Sequence, residues 1–221
     1  MPIHLNYHVM QKIGLFGGTF DPIHNGHLAV GRAALRQLGL DLLYFIPAAL
    51  PPHKAGQLIT PFVQRVAMLR LAVEEEPRFV VSEIEGLRSG PSYTVDTLSQ
   101  LRRSLGPQAE FFFIIGLDAF AEITTWHRYD ELLENASFVV IDRPSHGQQS
   151  VADVVGRCFP AYRVETAGVW SGTGRHRIYS LAMEPVPVSS SLVRARLRQG
   201  ESVEGLVPPK VAAYLAMSHE P

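Results

Sequence analysis

The sequence predicts an α/β fold: a doubly wound parallel sheet of five to six strands with helices on both faces. Three observations predict it. Short apolar runs of the strand type alternate with helical patterns, which implies parallel strands joined by right-handed crossovers. Most of the runs are apolar at nearly every position, as strands covered on both faces should be. The two most unusual loops, "GGTFDPIH" and "GLDAF", follow the first and fourth runs. In the common 3-2-1-4-5 order those strands lie at the point where strand order reverses, and open sheets of this class bind ligands there.

The elements follow in order. "KIGLF" (Lys12–Phe16) is the first strand. A helix over His27–Leu38 carries Leu28, Gly31, Leu35 and Leu38 on one face and stops at Gly39. "LLYFI" (Leu42–Ile46) is the second strand, and a helix over Pro61–Glu76 carries Phe62, Val66, Leu69 and Val73. "FVVSEI" (Phe79–Ile84) is the third strand. Tyr93–Leu105 then forms a helix after "SGPS", with Ser92 expected as its N-cap. "FFFII" (Phe111–Ile115) and "SFVVI" (Ser137–Ile141) are the fourth and fifth strands, and "RIYSLAM" (Arg177–Met183) is the sixth. The stretch Ser145–Gly174 is less regular, and "GVWSGTGRH" (Gly168–His176) reads as an exposed loop. Val211–Met217 closes the chain as a helix after a Pro-Pro stop. No repeat, low-complexity tract or dividing linker interrupts the pattern. Residues 1–221 are therefore expected to form one domain, with 1–11 as an N-terminal extension and 184–221 as a C-terminal helical part.

Composition narrows the function. At 221 residues, 46% of them hydrophobic, the chain fills an ordinary core. Lys plus Arg number 20 against 21 Asp plus Glu, which argues against a nucleic-acid polymer as partner and leaves room for a local basic pocket. The single cysteine, Cys158, excludes an internal disulfide and a Cys-based zinc cluster. "MPIHLNYHVMQK" lacks the basic start and apolar run of a signal peptide, and no stretch reaches the length of a membrane span. The expectation is a soluble cytoplasmic protein, with Met10 as an alternative start because the first strand begins only after it. Monomer and homo-oligomer stay equally open.

The loop after the first strand carries the chemistry. Gly17 and Gly18 remove two Cβ atoms, so a ligand can approach the main chain and φ can turn positive. Thr19 offers a hydroxyl and an amide to the same space, and Asp21-Pro22 sets a rigid turn. The helix opens near Asn25 or Gly26, aiming unpaired N–H groups and the positive end of its dipole at the loop. His24 and His27, three apart, can both face that point. Together these features describe a phosphate site. Taken alone, a Gly-Gly turn is also an ordinary tight connection between strand and helix. It is neither a G-x-G-x-x-G fingerprint nor a P-loop. Metal-ligating histidines would need a third ligand that the loop does not offer.

"HNGH" (His24–His27) matches the [HT]-x-G-H signature of the nucleotidylyltransferase superfamily, and "GGTFDPIHNGHL" resembles the nicotinate-nucleotide adenylyltransferases of bacterial NAD synthesis. Further stretches agree in order and spacing: "PPHK" (Pro51–Lys54), "SYTVDTL" (Ser92–Leu98), "IIGLDAF" (Ile114–Phe120), "TW" (Thr125–Trp126), "RP" (Arg143–Pro144) and "VSSSLVR" (Val188–Arg194). The likeness runs from about Lys12 to Leu215. It implies a Rossmann-like sheet of the nucleotidylyltransferase type and transfer of the adenylyl group of ATP to nicotinate mononucleotide, giving deamido-NAD and pyrophosphate. Sister enzymes that act on nicotinamide mononucleotide or phosphopantetheine are the nearest alternative, and a non-catalytic nucleotide-binding regulator is another.

The resemblance also assigns residues. His24, His27 and Arg194 would be catalytic. Gly17, Gly18, Thr19, Phe20, Gly116, Asp118, Ser189, Ser190 and Ser191 would join them around ATP. His53, Lys54, Ser92, Tyr93, Thr94, Trp126, His127 and Arg143 would hold nicotinate mononucleotide. The serines also read as the N-cap of a following helix, with Arg194 and Arg198 on one face and Arg196 on another. By itself that pattern is equally an ordinary capped helix with a solvated basic face. Asp118 could accept from a ribose hydroxyl or cap the next helix, and Trp126 could stack on a pyridine ring or fill a core. Two positions depart from the family: His127 stands where Tyr is frequent, and Ser191 where Thr is usual. An attacking phosphate is already an anion, so no Ser, Cys or Lys nucleophile is required. Mg²⁺ is expected as a triphosphate-bound ion, since no compact carboxylate cluster would hold it and the protein itself supplies no metal site.

Overall fold

A computed structural model describes residues 10–52, 56, 58–142 and 149–217. Its strands are β1 (Gln11–Gly18), β2 (Leu42–Pro47), β3 (Phe79–Val81), β4 (Ala109–Gly116), β5 (Ser137–Asp142), β6 (Arg163–Thr166), β7 (Val169–Ser171) and β8 (Arg177–Ala182). The helices are α1 (Asn25–Leu38), α2 (Phe62–Val73), α3 (Thr94–Leu105), α4 (Leu117–Ala121), α5 (Leu132–Asn135), α6 (Val151–Cys158), α7 (Ser190–Arg198) and α8 (Pro209–Met217).

Alternation along the central strands sorts their side chains into two cores. Ile13 and Leu15 of β1, with Phe111 and Phe113 of β4, meet Leu98 and Leu101 of α3 and Val151 and Val155 of α6. On the other face, Phe16, Phe45, Phe112 and Ile114 meet Leu28 and Leu35 of α1, Leu69 of α2 and Val211 of α8. Each large side chain buried in this way stabilises the fold by about 1.5–3 kcal/mol, so the central strands anchor the molecule. Gly14 sits where a Cβ would come within 2.8 Å of Leu40, which lets α1 and its exit lie close to the sheet.

The sheet order is β3-β2-β1-β4-β5-β8-β7-β6. β1 runs parallel to both β2 and β4, with Phe16 opposite Phe45 and Ile114, and β5 pairs in parallel with β4 and β8. The expected strand order therefore holds, and the reversal point falls between β1 and β4. The sheet has eight strands rather than five to six, because β6 and β7 add an antiparallel hairpin beyond β8. Part of the expected exposed loop at Gly168–His176 is thus strand, with Trp170 buried at 9% exposure and His176 at 3%. β6 is exposed along its whole length, so no apolar alternation marks it in the sequence. Among the described residues no helix is long and apolar enough to cross a membrane.

Candidate active site

The β1 end and the α1 start form one rigid corner. His24 is the N-cap of α1 in extended conformation, and its backbone N–H donates to His27 Nδ1 at 3.2 Å. The two imidazoles stack at 3.6 Å between centroids. Because Nδ1 of His27 accepts, its proton sits on Nε2, which makes that nitrogen a donor. His24 is 5% exposed, and the half-buried His27 also packs against the rings of Phe16 and Phe20. Gly26 between them has a packing reason, since a Cβ there would stand 3.0 Å from the His24 ring and 3.1 Å from Val188. One expectation is corrected here. The Asn25 amide at the helix start is not open, because it donates to Leu206 O at 2.9 Å and so ties α1 to the C-terminal part.

Gly17 and Gly18 also behave differently from expectation. Both are strand residues, and the positive φ of this loop (49°) falls on Phe20. A Cβ on Gly18 would press the Phe20 ring at 3.0 Å, and one on Gly17 would stand 3.5 Å from Phe113. The glycines provide room for packing and approach, not an unusual backbone conformation. Phe20 gives its ring to the core and leaves only its main chain to the loop.

The α7 N-terminus meets this corner from the far end of the chain. Ser189 caps the helix, its Oγ accepting from the Leu192 N–H at 3.1 Å. The Ser190 hydroxyl donates to Pro22 O at 3.0 Å, and Arg194 donates to Asp21 O and, at 3.3 Å, to Ser191 Oγ. The Asp21 carboxylate lies 4.0 Å from Arg194. A guanidinium has five N–H donors, so these contacts leave Arg194 capacity for a ligand. Arg196 points away, to Ser202 O and Glu201, and Arg198 is exposed.

Beside the corner opens a cavity of about 520 Å³ between the ends of β1 and β4, lined by Gly17, Tyr93, Thr94, Phe113, Trp126 and His127 among others. Trp126 is half-buried and stands edge-on to Phe113 at 6.2 Å, so it walls the cavity and is not a sealed core residue. The exposed His127 stacks on Tyr93 at 4.3 Å, keeping an aromatic contact where Tyr is frequent in the family. Ser92 is not the N-cap of α3; that position is Tyr93. The Ser92 Oγ accepts instead from the amides of Ala49 and Leu50, at 3.1 and 3.2 Å, which binds the loop after β2 to the cavity wall. Gly116 also lines the cavity. Asp118 is exposed in the first turn of α4, whose N-cap is Gly116, so the capping role expected as one alternative for Asp118 is not taken. His53, Lys54 and Arg143 lie outside the described residues.

The sequence reading missed Arg65. Only 1% exposed, it donates to Thr60 O at 2.8 Å, Thr19 O at 2.7 Å and Ala48 O at 2.9 Å. One side chain thus ties together the loops after β1 and β2 and the entry to α2. Burial pushes its pKa down, and Asp21 and Glu85 pull it back up. The available signal was a charged residue among the apolar positions of α2, beside Val66 and Leu69.

Comparisons with known proteins give the family and the fold. The cytidylyltransferase-like family matches residues 15–196. A probable nicotinate-nucleotide adenylyltransferase from Desulfotalea psychrophila is 42% identical over 213 residues, 95% of this chain and 99% of that one. Another, from Geobacillus kaustophilus, is 40% identical over 206 residues, covering 93% and 84%. Among solved structures, the Plasmodium falciparum nicotinic acid mononucleotide adenylyltransferase complexed with NaAD superposes with a TM-score of 0.70. That pair is 18% identical, over 94% of this chain and 96% of the other, and shares the fold. With its "HNGH" corner, its serine-capped α7 and relatives matched over nearly their whole length, the chain belongs to the cytidylyltransferase-like family and, within it, to the nicotinate-nucleotide adenylyltransferases.

Proposed function

We propose that this chain transfers the adenylyl group of ATP to nicotinate mononucleotide, giving deamido-NAD and pyrophosphate in NAD biosynthesis. The observation that carries the reading is that Ser190 and Arg194 of α7 hold the Asp21–Pro22 turn, which leads into the stacked His24–His27 pair beside a cavity with aromatic rings on its wall. The triphosphate lies over the corner, within reach of the His27 Nε2–H, His24, the first amides of α7 and the remaining N–H groups of Arg194. A phosphate oxygen of the mononucleotide attacks the α-phosphorus. The new P–O bond forms as the bond to the bridging oxygen breaks, and pyrophosphate leaves with that electron pair. No proton transfer is needed. The residues supply in-line positioning and donors aimed at developing charge, each such donor contributing about 10²–10³-fold to the rate.

Mg²⁺ arrives with ATP as part of that substrate. Among the described residues no group of three His, Cys, Asp or Glu side chains could hold a metal, so phosphates and water supply most of its ligands. The pyridine ring enters the cavity against Trp126. Its carboxylate meets main-chain amides at the start of α3, around Thr94, and at His127, where a helix N-terminus favours an anion. His53, Lys54 and Arg143 hold the acceptor phosphate, and Asp118 meets a ribose hydroxyl. ATP labelled at the α-phosphorus, incubated with nicotinate mononucleotide and Mg²⁺, should pass its label to the dinucleotide, while γ-label appears in pyrophosphate. Label release as inorganic phosphate or as free AMP alone would contradict adenylyl transfer.

A further inference from the structure

The cavity contains a group that reading a carboxylate does not require. Glu85 lines it and is 8% exposed. Its Oε1 accepts from the Thr97 hydroxyl at 2.7 Å, while Oε2 has no hydrogen-bond partner among the described residues. A buried carboxylate oxygen without a donor is costly, and the residue that carries it lines a cavity, which points to a ligand. Arg88 donates to the Thr97 hydroxyl at 3.0 Å, and Arg65 lies near enough to interact with Glu85. Neither arginine lines the cavity, and no Lys or Arg is among its described lining residues. Glu85 itself is on the cavity wall, and the two arginines are not. Aromatic rings share the wall: Trp126 edge-on to Phe113, and Tyr93 stacked with His127. Among its described lining residues, His127 and Tyr93 are the only other ionisable side chains.

Aromatic faces with one carboxylate form an environment that favours an organic cation. We propose that the cavity recognises the permanent positive charge of a pyridinium ring, with Glu85 as its counter-charge. The inference rests on the nicotinate mononucleotide reading and adds a second criterion to it. Main-chain amides read the exocyclic carboxylate, and Glu85 reads the charge of the ring. Unit charges about 6 Å apart at an effective dielectric of about 20 attract by roughly two powers of ten in affinity. Desolvation offsets part of this, leaving about tenfold.

The test compares nicotinate mononucleotide with its 1,4-dihydro form, which keeps the carboxylate, ribose and phosphate but has a neutral ring. Wild-type enzyme with ATP and Mg²⁺ should show a KM at least about tenfold lower for the pyridinium form. Glu85→Gln, which still accepts from Thr97, should raise that KM about tenfold while leaving the dihydro KM and kcat nearly unchanged. Glu85→Asp should restore most of the preference. Equal wild-type KM values for the two forms would overturn the proposal even if the variants failed to fold. So would a Gln variant that weakened both forms alike, since that is the mark of a structural role. Loss of the acceptor reading would look different: wild-type enzyme would then release no pyrophosphate with either form.

Discussion

His27 is set in place by its own backbone neighbour before any substrate arrives. The His24 N–H holds Nδ1, so Nε2 is fixed as the donor, and no reorganisation is needed when charge develops at the transferred group. His27→Ala should lower kcat by at least ~10²-fold, with a stability loss of only ~1 kcal/mol from the lost N-terminal contact. Steady-state rates beside a denaturant titration check both halves, and near-normal turnover would remove His27 from the phosphate site. Arg194 differs from Arg196 in the same way. The first reaches Asp21 and Ser191 at the corner, and the second bonds Ser202 O and Glu201 away from it. Arg194→Lys should raise the KM for ATP about tenfold or more, since a point charge cannot reproduce a fork, while Arg196→Lys should be nearly silent. Equal effects would mean a general basic face and no clamp.

At the scale of elements, α2 and the turn into β8 each carry a buried ionisable group. Arg65 on α2 bonds three carbonyls from separate segments, so Arg65→Met would leave all three without that donor. The expected loss is about 3–5 kcal/mol, read as a shift of the unfolding midpoint, and a loss under 1 kcal/mol would show that water replaces the guanidinium freely. His176, at the entry to β8, is pushed down to about 4, first by burial and then by Arg175 and Arg102, against a hydrogen bond to the Glu134 backbone. Between that value and its ordinary 6.5, the unfolded chain binds more protons than the folded one. Stability should therefore fall as pH drops through this window, by at most about 3 kcal/mol. His176→Gln should flatten the decline in a melting series from pH 7 to pH 4.5; an unchanged slope would assign the decline to other groups. Only Arg65 left a signal of its burial, by standing among apolar positions of α2. Arg65 reaches Thr19 and Ala48, and His176 the Glu134 backbone, only through the packing of distant segments. β1, β4 and β5 were legible because strands buried on both faces are apolar throughout. β6 was not, because an exposed edge strand needs no such pattern, and β7 is only three residues long.

For the whole molecule, the sheet order explains why so much of the site could be read in advance. Strands reverse direction of addition between β1 and β4, so the two loops with unusual composition had to meet there. The resemblance added α7 to that meeting, and Arg194 does reach Asp21, 173 residues away. Chain order could not supply the commitments within the corner, such as the Asn25 amide held by Leu206 O or the Ser92 hydroxyl turned to the β2 loop. Those depend on packing between elements that no local pattern encodes. Under the proposed function, the cavity selects a pyridine nucleotide by its carboxylate. Initial rates of pyrophosphate release, at saturating ATP and Mg²⁺ and varied nicotinate or nicotinamide mononucleotide, test it most directly. An amide NH₂ would meet a main-chain N–H head-on, and an unpaired buried donor costs ~1–3 kcal/mol per group. Two such donors predict a kcat/KM ratio of roughly 10²–10⁴ in favour of nicotinate. Comparable kcat/KM for the two mononucleotides would contradict it.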